Sequence, residues 1–248
     1  MPKKGAMRSI GLTLAAGAAL LLALPSTAAE VRSQPKAVVE LFTSQGCSSC
    51  PKADAMFNEL GKRSDVVALA WHVDYWDYIG WPDTFGDAAN SDRQRGYAQS
   101  WGSARIYTPQ MVINGRTGVV GSRDKEVAGA IDGAALSLPV KVDITPDMVE
   151  ISIDPKAGGG DAMVWLVTFK DRSQVMIERG ENAGKTFDYT QIVTGKQMLG
   201  MWDAALGTHL KLPLSALTAN GSNGAAILIQ SEKDGLPGPI LGAASIQL

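Results

Sequence analysis

Cys47 and Cys50 are the only cysteines of the chain and lie in ELFTSQGCSSCPKADAMF, residues 40–57. Two thiols at this spacing can trade electrons by opening and closing a disulfide, hold a soft metal ion, or pack as small apolar residues. A purely stabilising disulfide is poorly motivated, because so small a closed loop removes little unfolded-state entropy. A chain of this size can also build a core without covalent staples.

The elements around the pair decide what its sulfurs meet. PKAVVELFTS reads as a buried strand. Ala53, Met56, Phe57 and Leu60 recur at helical spacing, so PKADAMFNELGKRS reads as an amphipathic helix. Cys47 is expected near the helix N-terminus, where unpaired backbone N–H groups and the positive end of the macrodipole favour a thiolate. It is the candidate nucleophile, and Cys50, one turn deeper, the candidate resolving thiol. Pro51 suits the first turn, where a missing N–H costs little. A strand, CxxC and helix within an α/β pattern is a redox arrangement.

Further along, DVVALAWHVDYW reads as a second strand and SDRQRGYAQSWG as a polar helix. QMVING and RTGVVGS read as a hairpin, and KEVAGAIDGAAL as a closing helix. This predicts a small α/β layer over residues 36–136. After Pro139 the text alternates apolar and polar residues through VKVDITPDMVEISIDP, MVWLVTF, KTFDYTQIV, HLKLPL, AAILIQSE and AASIQL. That spacing predicts an antiparallel β-sandwich-like domain over 138–248.

The N-terminus carries Lys3, Lys4 and Arg8, an apolar run from Ile10 to Leu24, then small residues to Ala29. The run is shorter than the ~20 residues that span a bilayer. Residues 1–29 therefore read as a secretory signal peptide, and the protein is expected in the periplasm or outside the cell. Membrane contact is expected only through the uncleaved signal. Disulfides persist in such compartments. Charged residues make up 19% of the chain, with a net charge of −2 and no basic stripe, which argues against nucleic acid as a partner.

The region 71–85 concentrates aromatics, with Trp71, Tyr75, Trp76, Tyr78, Trp81 and Phe85, although aromatics are only 6% of the chain. Trp76 and Trp81 are candidates for contacting an extended substrate; the bland alternative is a structured insertion with its own small core. His72 and Asp74 share a strand face, so His72 could stabilise a thiolate, join Cys47 and Cys50 in binding Cu(I), or sit satisfied in the core. Gly180–Thr186, GENAGKT, looks like a phosphate loop but has one residue too few between its glycines and no following helix, so it reads as a plain loop. Met163, Met176, Met198 and Met201 are scattered and are expected in the core.

Several of these motifs carry a family likeness. CSSC after the first strand, Thr108-Pro109 before the third and Asn114-Gly115 at the next turn resemble the thioredoxin-like superfamily. More closely, residues 36–247 resemble a bacterial secreted family known as domain of unknown function 1223, through VELFTSQGCSSCPKAD, WHVDYWDYIGW, RQRGYA, YTPQMVING and RGENAGKTF. The likeness implies a thioredoxin-like α/β domain followed by a β domain. It also implies a cis Pro109 that presents the Thr108 backbone to an extended substrate, and a buried acid on the first strand, for which Glu40 is the nearest match. Glu40 would accept the Cys50 proton; otherwise it is an edge or surface glutamate. Gly46 departs from the pattern where a tryptophan is usual, and Ser48-Ser49 replaces Gly-Pro.

The expected function is thiol–disulfide exchange on protein or small-molecule thiols and disulfides. It needs no cofactor and could involve a membrane redox partner. A periplasmic copper-binding protein and a non-catalytic secreted binding module with an inert disulfide are the alternatives.

Overall fold

The computed structural model describes residues 1–3, 5 and 29–248. The signal-peptide expectation falls almost entirely on residues outside these. Among the described residues no helix is long and apolar enough to cross a membrane. The elements run β1 (Glu30–Arg32), β2 (Ala37–Thr43), α1 (Pro51–Leu60), β3 (Val66–His72), a 3-10 turn (Asp77–Ile79), α2 (Ala88–Ser100), β4 (Gln110–Ile113), β5 (Thr117–Val120) and α3 (Asp124–Asp132). They continue with β6 (Lys141–Ile144), β7 (Met148–Ile153), β8 (Ala162–Met176), β9 (Thr186–Trp202), β10 (Thr208–Pro213), a second 3-10 segment (Leu214–Gly221), β11 (Gly224–Lys233) and β12 (Leu236–Gln247).

These strands form one nine-stranded mixed sheet, β1-β12-β11-β8-β9-β3-β2-β4-β5, and a separate three-stranded sheet, β10-β7-β6. The expected fold class, a thioredoxin-like α/β domain followed by a β-sandwich-like one, is therefore incorrect. The predicted first domain does not close on itself: β3 joins β9 in parallel at Ala70 and Ile192. Its central cluster mixes Val38, Phe42, Leu69 and Trp71 with Val167, Phe169, Ala226 and Leu228. The physical reason lies in β8 and β9, which run 15 and 17 residues. Strands of ~5–6 residues are usual; ones this long reach beyond a single sandwich and extend the N-terminal sheet. The smaller sheet covers one face of the large one, where Val149 and Ile151 pack with Val164, Leu166 and Ile227.

Alternation gives β2 and β3 two faces. Val39 and Leu41, with Ala68 and Ala70, pack under α1 against Ala53 and Phe57. Val38, Phe42, Leu69 and Trp71 face the opposite way, towards Tyr97 of α2. Thr43 and His72 pair side by side at the C-terminal ends of these parallel strands and continue the α1 face. Glu40 and Trp71 belong to the other. The methionines also differ from expectation: Met176, Met198 and Met201 are exposed along β8 and β9, because these long strands run out beyond the sheets that cover their middles.

Candidate functional site: a disulfide above a buried acid–imidazole cluster

Cys47 and Cys50 form a disulfide with Cα atoms 5.4 Å apart. Helix α1 starts three residues later than expected for Cys47 at its tip. Cys50 is the N-cap, Pro51 opens the first turn, and the amides of Ala53 and Asp54 donate to the Cys50 carbonyl at 2.8 and 3.0 Å. Cys50 therefore lies nearer the helix end than Cys47. Both are buried, at 1% exposure for Cys47 and 0% for Cys50, while Ser48 and Ser49 between them face solvent. Ser49 Oγ is 3.3 Å from Cys47 Sγ and 3.4 Å from the Thr108 carbonyl. The Thr108–Pro109 peptide is cis, and the Ser49–Thr108 contact places this segment beside the CSSC loop.

The loops on either side of Cys47 are held by the aromatic segment. Trp76 Nε1 donates to Thr108 Oγ1 at 2.7 Å, and Trp81 Nε1 to Gln45 Oε1 at 2.9 Å. Both tryptophans thus brace the loops flanking the disulfide. A Cβ placed on Gly46 would meet Trp76 Cβ at 3.2 Å and Ile79 Cδ1 at 3.4 Å. This explains why glycine stands there: the space a tryptophan would take at residue 46 is filled from residue 76.

A second brace comes from far along the chain. The buried Asn182 amide donates at 3.0 Å to both the Gln45 and Cys47 carbonyls. The stretch 180–186, with its resemblance to a phosphate loop, is a loop between β8 and β9 up to residue 185, and Thr186 opens β9. Nothing in the local sequence marks Asn182 as a clamp on a loop 135 residues earlier.

Beneath the disulfide, on the α1 face, lies a buried cluster that sequence reasoning only partly found. Asp54 accepts from Thr43 Oγ1 at 2.7 Å. Burial, with a push from Asp83, lifts its pKa to about 7 against the pull of Thr43 and His72. His72 Nδ1 lies 2.8 Å from Asp83 Oδ2. Burial disfavours its charged form, but Asp83 and then Asp54 outweigh that and raise its pKa. Burial also opposes the Asp83 carboxylate; His72 and the amides of Gln45 and Phe85 overcome it and hold the pKa low. His72 Nε2 is buried with no hydrogen-bond partner. Asp74 takes no part: it accepts from Ser91 Oγ. Asp54 was hidden in the sequence among the polar residues of an amphipathic helix. Its i, i+4 relation to Cys50 was the available signal.

Glu40 is fully buried, neither an edge nor a surface residue. It accepts from Arg93 Nε at 2.7 Å and from the Tyr97 hydroxyl, on the face turned away from α1. The proposed set Cys47, Cys50 and His72 is divided between the disulfide and the Asp83 hydrogen bond. Among the described residues no group of three His, Cys, Asp or Glu side chains is placed to hold a metal.

Fold and site define a mixed-sheet protein with a covered CxxC disulfide seated over a buried carboxyl–imidazole cluster. The chain belongs to the DUF1223 family of proteins of unknown function, whose model matches residues 38–230. It is similar to a crystal structure of an Agrobacterium tumefaciens protein solved as a structural-genomics target, at 38% identity and a TM-score of 0.76 over 87% of this chain and 95% of that one. No functionally curated protein matches.

Proposed function

We propose that this protein is an exported thiol–disulfide oxidoreductase acting on protein or small-molecule thiols. The observation that carries the reading is Asp54, a carboxyl one turn below Cys50 that burial holds near neutrality. An inert disulfide has no use for a buried acid poised to trade a proton at physiological pH. In the oxidising direction, a substrate thiolate attacks Cys47 Sγ and the Cys47–Cys50 bond breaks. Cys50 leaves as a thiolate and takes the Asp54 proton. A second substrate thiolate then attacks the substrate sulfur of the mixed disulfide and releases Cys47, again as a thiolate. The substrate is oxidised by two electrons and the CxxC pair reduced by two. Ser49, already 3.3 Å from Cys47 Sγ, can turn its hydroxyl from the Thr108 carbonyl to the released thiolate.

A second reading, an inert disulfide within a binding module, is favoured by the burial of both cysteines. Native-state reaction separates the two. The intact protein is treated with dithiothreitol at neutral pH, and Cys50→Ser is treated with oxidised glutathione. Exchange is expected well before global unfolding, with a mixed disulfide at Cys47 in the variant. A disulfide reduced only at the rate of unfolding, and no adduct, would establish the inert reading.

A further inference from the structure

On the far side of β3 from the disulfide a cleft of about 970 Å³ opens between α2, the strands β8 and β9, and the β11–β12 turn. That is the size of a small-molecule site. We propose that it binds a small organic carboxylate, with the anionic end taken by Trp71, Arg93 and Lys196.

Three observations carry this. First, Trp71 Nε1 and Arg93 Nη1 are buried donors without an acceptor in the protein, and both residues line the cleft. Arg93 engages Glu40 through Nε, and Tyr97 and Gln230 through Nη2. Its guanidinium stacks 4.8 Å from the Trp71 ring centre. The two orphan donors thus belong to one stacked pair. Native interiors rarely leave such groups unmatched, and a carboxylate offers two acceptor oxygens.

Second, the Lys196 ammonium sits 3.4 Å from the Trp165 ring centre, on an aromatic face rather than a carboxylate. Burial first, then the Arg93 charge, bring its pKa down to about 8, against the opposing influence of Glu40 and Glu232. An anion between the two cations would remove their repulsion. Third, the rest of the lining suits a carbon body and a single charge. Phe85, Leu236 and Pro237 are apolar. Asp87 and Glu232 place negative charge around the cleft, which disfavours a multiply charged anion such as phosphate, while Asp92 is paired with Arg95 at 2.8 Å. Glu232 is already engaged by Trp165 Nε1 at 3.1 Å. Because the orphan donors are covered, binding includes a small outward shift of the wall above them.

The site does not rest on the redox reading, and its assay registers binding alone. Full-length protein is titrated with benzoate by calorimetry, with benzamide and inorganic phosphate as comparators. Benzoate is expected to bind saturably and more tightly than either. Trp71→Phe, which keeps the ring and deletes the donor, and Lys196→Gln are each expected to weaken it about tenfold, the loss of one charge-assisted hydrogen bond. Should Trp71→Phe fail to fold, the exposed Lys196 carries the test. No saturable binding, equal binding of benzamide or phosphate, or unchanged affinity in the folded variants would overturn the proposal.

Discussion

Asp54 lies one helical turn beyond Cys50, its amide on the Cys50 carbonyl at 3.0 Å and its carboxyl on Thr43 Oγ1 at 2.7 Å. Its pKa, raised from 3.8 to about 7, makes it a cost to the folded state. Between these values the native protein keeps a proton that the unfolded chain has released, so stability falls as pH rises from 4 to 7 and the full cost persists above. That cost is at most about 4 kcal/mol. Asp54→Asn should therefore raise Tm at pH 8, leave it nearly unchanged below pH 4, and slow disulfide exchange. Calorimetry with stopped-flow reduction checks both. A variant that is less stable at pH 8, or that exchanges at the wild-type rate, contradicts the assignment.

Asn182→Ala frees the Gln45 and Cys47 carbonyls in a buried setting. A loss of about 1–3 kcal/mol is expected in urea unfolding, together with faster native-state reduction of the disulfide as its loop loosens. Stability loss without faster reduction would make Asn182 a simple structural bond.

Trp76→Ala removes the indole that donates to Thr108 Oγ1 beside the disulfide. Alkylation of the reduced protein should accelerate at Cys47 more than at Cys50, as read by peptide mass mapping. An unchanged ratio would show that residue 76 does not cover the sulfur.

Glu40→Gln strands the Arg93 guanidinium without its buried counter-charge. Removing one partner of such a pair costs about 3–5 kcal/mol. Provided the variant folds at low temperature, its exchange rate should match wild type, because Glu40 faces away from α1. A specific slowing of Cys50 release would restore Glu40 as its proton acceptor.

Local elements were legible where periodicity and punctuation agree. The strand before CSSC, the helix after Pro51, the hairpin around Asn114-Gly115 and the alternating segments beyond Pro139 all occur where the pattern puts them. Partnering was not legible. Alternation tells which residues share a face but not which strand lies alongside, so nothing near Ile192 marks it as the neighbour of Ala70. Helix α2 was equally opaque, because it buries Asn90, Ser91, Arg93 and Gln94 through hydrogen bonds instead of an apolar stripe. At the site, CSSC was readable as chemistry. Asp54 and Asn182 were not, since their meaning comes from burial and from a distant loop.

The junction of β3 with β9 also has a consequence for biogenesis. During synthesis β3 emerges roughly 120 residues ahead of the strand that will cap its open edge, a long interval for a nascent chain. Until then it presents unpaired backbone groups and a greasy flank, the hallmark of a sticky intermediate. A fragment ending at residue 136 would be frozen in that condition and should self-associate, whereas the complete polypeptide escapes it once its last third arrives.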